Sequence, residues 1–84
     1  MTSKLWIIDD EESIRTICKS ALEQDFDIEM FPNASEALLA LNTSVPDLII
    51  TDIKMPGMNG IDFLKKVSAK HPDIHTIVIT AHTD

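Results

Sequence analysis

The chain has 84 residues, 44% of them hydrophobic. That is one domain with enough apolar content for a core and little stability to spare. Fourteen acids against seven bases give a net charge of −7, which argues against nucleic-acid binding by this segment itself, because phosphate backbones are met by Lys and Arg. The single cysteine, Cys18, excludes an internal disulfide and fits a reducing compartment. No run approaches the roughly 18 apolar residues of a membrane span, and no basic-then-apolar leader opens the chain. A soluble cytoplasmic protein without membrane contact is expected.

Residues 5–8, Leu-Trp-Ile-Ile, are a continuous apolar run, the pattern of a strand buried on both faces, and they lead directly into Asp9, Asp10 and Glu11. Residues 12–24 set Ile14, Ile17, Cys18, Ala21 and Leu22 at helical spacing, with Cys18 read as a small buried hydrophobe. Residues 27–31 alternate as a short strand at a sheet edge. Pro32-Asn33 breaks it, and Asn33 or Ser35 can cap a helix over 34–41 that carries Ala37, Leu38 and Leu41 on one face. Val45-Pro46 launches a third strand, 47–52, which ends on Asp52. Residues 54–60 are a loop by composition. A third helix over 61–70 is expected to turn Ile61, Leu64 and Val67 inward and Lys65, Lys66 and Lys70 outward, where late lysines suit the helix dipole. His71-Pro72-Asp73 ends it, and a fourth strand follows between Ile74 and Thr80. The alternation predicts a parallel sheet with crossover helices.

Two strands that stop on carboxylates place those groups at the carboxyl end of the sheet, where open parallel sheets hold their sites. Asp9, Asp10 and Asp52 all fall there. Clustered carboxylates repel one another unless a cation lies between them, and a hard cation with oxygen ligands, Mg²⁺ first, suits them. The acids after the first strand also favour the start of the helix that follows, and both readings hold at once. His71, His75 and His82 lack metal-ligand spacing and read as solvated. Trp6 reads as core, Met55 and Met58 as loop packing, and Gly57 and Gly60 as turn glycines that can take positive φ.

These residues together resemble the receiver domain of bacterial two-component response regulators. The likeness rests on the acidic pair Asp9 and Asp10, on the lone Asp52, and on Asp52-Ile53-Lys54-Met55-Pro56-Gly57-Met58-Asn59-Gly60, which follows a D-x-x-M-P-G-x-x-G pattern. Thr80-Ala81 closes the fourth strand, and the run from Ile79 to Asp84 is similar to the nitrogen-regulation (NtrC) type, whose receivers precede a sigma-54-activating ATPase and a DNA-binding domain. The resemblance implies a flavodoxin-like, CheY-like α/β sheet of strand order 2-1-3-4. It implies that Asp52 accepts a phosphoryl group from a sensor histidine kinase, and that Asp10, Asp52 and the backbone carbonyl of Lys54 hold Mg²⁺, with Asp9 acting through a bound water. Thr80 would contact the phosphoryl group and report its presence. Lys54, Ala81 and His82 stand where the family varies. The module would be a phosphoacceptor and not an enzyme, and it would control transcription in a longer parent.

A full receiver of that family has five β/α units, so the resemblance also implies a single domain over 1–84 that is incomplete at its C-terminus. It lacks the fifth strand with its phosphoryl-contacting lysine and the last two helices. Two expectations follow: the apolar strand between Ile74 and Thr80 self-associates as an open edge, and phosphoryl transfer is slow without the lysine cation. Two rivals stay open. One is a phosphotransfer-inert fragment whose main property is self-association. The other is an Mg²⁺-dependent phosphatase with an aspartyl nucleophile, although the D-x-D-x-[TV] motif of that class is missing after both acidic strands.

Overall fold

Strand β1, Ser3–Ile8, is the middle of the design. Leu5, Trp6, Ile7 and Ile8 are all buried, as the unbroken apolar run requires when both faces are covered. In the computed structural model, which describes residues 2–79, seven elements alternate. After β1 come α1 (Glu12–Leu22), β2 (Phe26–Phe31), α2 (Ala34–Ala40), β3 (Leu48–Asp52), α3 (Gly60–Lys70) and β4 (His75–Ile79). All pairings are parallel and the strand order is β2-β1-β3-β4, as expected.

Helices α2 and α3 cover one face of the sheet. Trp6, Ile8 and Ile49 from the strands meet Phe31, Ala34, Ala37, Leu41, Met55, Phe63 and Val67 in one buried cluster. Trp6 and Phe31 stack at 4.7 Å between ring centroids and 57° between planes, a geometry that adds about 0.5–1.5 kcal/mol beyond area burial. The other face carries Leu5 and Ile7 under α1. Register places Ile50 beside Ile7 and Ile77 beside Ile50, so that same face runs on toward β4. There Ile77 is 48% exposed and Ile79 38% exposed.

Two expectations need correction, and one open choice is decided. Helix α1 has the apolar stripe that was read from its spacing, yet none of its residues is fully buried: Cys18 is half-buried and Ile17 is 63% exposed. The helix packs mainly against β1 and β2, so one flank of its stripe overhangs the open part of the sheet. In α3 the inward face is Gly60, Phe63 and Val67, with Leu64 packed at its margin, while Ile61 is 42% exposed. The glycine pressed on the strand end, described next, sets that rotation. Of the two candidate caps for α2, Asn33 takes the role, accepting from the Glu36 N–H at 2.9 Å.

Candidate functional site

At the end of β1, Asp9 is held at three points. Its N–H donates to the Phe31 carbonyl at 3.1 Å, which ties it to the end of β2. Its Oδ1 accepts from the Glu11 N–H at 2.9 Å, an Asx turn that starts the approach to α1. Its carbonyl accepts from Arg15 Nη1 at 2.7 Å. Glu11, the N-cap of α1, makes no side-chain capping bond, so the turn is fixed by Asp9 and Arg15. Asp10 lies between these bonds, exposed, with its carboxylate free to face the neighbouring strand end.

At the end of β3, the Asp52 main chain is held as closely. The buried Thr51 hydroxyl donates to the Asp52 carbonyl at 3.0 Å. Gly60, the first residue of α3, donates its N–H to the Ile53 carbonyl at 2.8 Å. A Cβ at Gly60 would lie 2.0 Å from the Asp52 carbonyl oxygen. Gly60 therefore serves close approach and not positive φ, which Gly57 takes instead, at +82°. Asn59 caps α3 by accepting from the Asp62 N–H at 2.8 Å. Met55 is buried and Met58 packs on the core, as expected of loop packing, so the loop after Asp52 is anchored at both ends.

These two turns bring Asp9, Asp10 and Asp52 together. One carboxylate oxygen from each lies within 4.8 Å of the others. Asp9 is 5% exposed, and burial pushes its carboxyl above the ordinary aspartate range. The Glu11 N–H opposes that shift, and the negative charges of Asp52, Asp10 and Glu11 add to it. Three hard oxygen donors with unbalanced charge are the donor set that a hard divalent cation takes, so the residues fit Mg²⁺. Lys54 opens the loop two residues after Asp52 and its side chain is exposed. Thr80, Ala81 and His82 lie outside the described residues.

The response regulator receiver domain matches residues 5–84. The chain belongs to that family. Within it, the DNA-binding transcriptional regulator NtrC of Salmonella typhimurium is 40% identical over 81 residues, covering 95% of this chain and 17% of that protein. The C4-dicarboxylate transport transcriptional regulatory protein DctD of Rhizobium meliloti is 36% identical over 81 residues, 95% of this chain and 18% of that protein. The chain thus spans less than a fifth of the length of these relatives. Among solved structures, a chemotaxis response regulator of Vibrio cholerae superimposes with a TM-score of 0.91 at 28% identity, covering all of this chain and 72% of that one.

Sequence reasoning found the three acids because they end apolar strands. It missed Arg15, Thr51 and the packing role of Gly60. Arg15 follows the acids by an ordinary helical interval, and Thr51 is one more β-branched strand residue. The one available signal was positional and held for Thr51 alone, which immediately precedes Asp52.

Proposed function

We propose that this chain is the phosphoacceptor of a two-component pathway and that Asp52 is its nucleophile. The observation that carries this reading is the meeting of Asp9, Asp10 and Asp52 at the carboxyl ends of adjacent strands. An ionised Asp52 oxygen attacks the phosphorus of a kinase phosphohistidine. The P–N bond breaks, an acyl phosphate forms on Asp52, and the imidazole leaves and takes up a proton. Asp10, Asp52 and the Lys54 carbonyl would hold Mg²⁺, with Asp9 acting through a water. The ion, when bound, offsets the acid cluster and draws charge off the transferring oxygens. This chain's own part is to hold the Asp52 main chain still through Thr51 and Gly60, and to keep Asp9 and Asp10 turned toward it. Thr80 is assigned contact with the phosphoryl group.

The partner is a sensor histidine kinase, and the role is that of a substrate with at most slow autodephosphorylation, in the cytoplasm, within a transcription regulator of the NtrC type. The test is intact-mass measurement after incubation with acetyl phosphate. Gain of one phosphoryl group that requires Mg²⁺ and is lost in Asp52→Asn supports the reading. Gain that Asp52→Asn leaves untouched overturns it.

A second property is favoured by one observation. The two outer strands differ: β2 carries Asp27 and Glu29, both exposed, while β4 carries no Asp, Glu, Lys or Arg and exposes Ile77 and Ile79. Charges protect an edge from pairing with another chain, and an apolar edge invites it. We propose that the 84-residue chain pairs with a second copy along β4.

A further inference from the structure

We propose that Arg15 is a positioning residue for the acidic site, acting through the Asp9 main chain; this rests on the phosphoacceptor reading above. A guanidinium on α1 that reaches the Asp9 main chain is in a natural place for a salt bridge to one of the site's carboxylates. Among the described residues its hydrogen bond goes instead to the Asp9 carbonyl, at 2.7 Å. The cation therefore leaves the carboxylate oxygens available, and Asp9 keeps one oxygen on the Glu11 N–H and one free.

The consequence falls on Asp10. The carbonyl that Arg15 holds belongs to the peptide unit joining Asp9 to Asp10, which is nearly rigid and planar. The amide that Asp9 Oδ1 holds belongs to the next unit, joining Asp10 to Glu11. The peptide planes on both sides of Asp10 are thus each fixed by one hydrogen bond, and the Asp10 Cα–Cβ direction follows from them. Asp10 is exposed, so packing does not hold it; the two bonds do. Because α1 has no side-chain cap, removal of the Arg15 bond leaves only the Asx turn to place Asp10 toward Asp52.

Three proteins test this: the unmodified chain, Arg15→Met, which keeps an unbranched apolar stem without a donor, and Arg15→Lys, which keeps a donor for a carbonyl. Mg²⁺ is titrated into each by calorimetry, and ¹⁵N relaxation of the metal-free chains reports backbone order at Asp10 and Glu11. Arg15→Met is expected to bind Mg²⁺ about tenfold more weakly, the scale of loss when a group that orients a metal ligand is removed. Its order is expected to fall at Asp10 and Glu11 and to hold in α3. Arg15→Lys is expected to recover most of both. Arg15→Met binding Mg²⁺ as tightly as the unmodified chain overturns the proposal. So does loss of order spread evenly through β2 and α3, or a Lys variant no better than the Met variant. If the unmodified chain takes up no Mg²⁺, the metal reading of the site fails and the proposal falls with it, an outcome distinct from the other three.

Discussion

Asp9 shows how the site sets its demands against those of the fold. Its carboxyl is buried beside two other acids and titrates above the ordinary aspartate range. A carboxyl whose folded pKa is raised binds more protons folded than unfolded between the two values. Its contribution therefore favours the folded chain below the ordinary range and is lost as pH rises through the raised value. At neutral pH without metal, Asp9 works against stability. Asp9→Asn, whose side-chain oxygen can still accept from the Glu11 N–H, is expected to raise the melting temperature of the metal-free chain by roughly 2–5 °C and to shrink the further rise that Mg²⁺ brings. Thermal melts at pH 7 with and without Mg²⁺ check both signs, and a lower metal-free melting temperature would count against this account of Asp9. Gly60 makes the opposite demand, for space. Gly60→Ala gains helix propensity but drives a methyl into the Asp52 carbonyl, and overpacking against backbone is expected to win at a net loss of about 2 kcal/mol. Chemical denaturation measures that loss. Mg²⁺ affinity is expected to fall with it, because the displaced atoms belong to Asp52. Gly57→Ala, with open space around it, is expected to spare the metal.

The elements were legible where a period met a covered face. The parallel sheet and the inward residues of α2 follow from the alternation and the apolar runs, the strand order is what the family resemblance implies, and the structure repeats all three. The reading failed where the deciding contact lay outside the element. Spacing alone allowed Ile61 to point inward, but the close approach of Gly60 to Asp52 rotates α3 so that Phe63 and Val67 turn in. Spacing also marked Ile17 and Cys18 as buried, because it cannot say whether the face opposite a stripe is covered. The open part of that face reaches β4, the edge along which pairing is proposed. Light scattering across micromolar concentrations is expected to give a dimer or larger species for the 84-residue chain. Ile77→Lys, which places a charge on the exposed edge, is expected to shift it to monomer. A monomeric mass for the unmodified chain throughout that range would contradict pairing along β4.

At the scale of the whole molecule, a net charge of −7 is concentrated at one point into three carboxylates at the ends of two strands, a donor set that fits a cation. The cluster itself was legible from its strand-end positions, and the Met-Pro-Gly loop that follows Asp52 carried the family resemblance which the comparisons then established. What holds the cluster in place was not legible, because a side-chain bond to a main-chain carbonyl, as from Arg15 and Thr51, leaves no periodic trace in a sequence. The central claim is that one acid of the three is the nucleophile. Borohydride reduction of the chain after acetyl phosphate treatment in Mg²⁺, followed by peptide mapping, converts an acyl phosphate to a stable alcohol at the residue that bore it. The account expects the reduced residue at Asp52 alone. Its appearance at Asp9 or Asp10, or in equal yield without Mg²⁺, would contradict it.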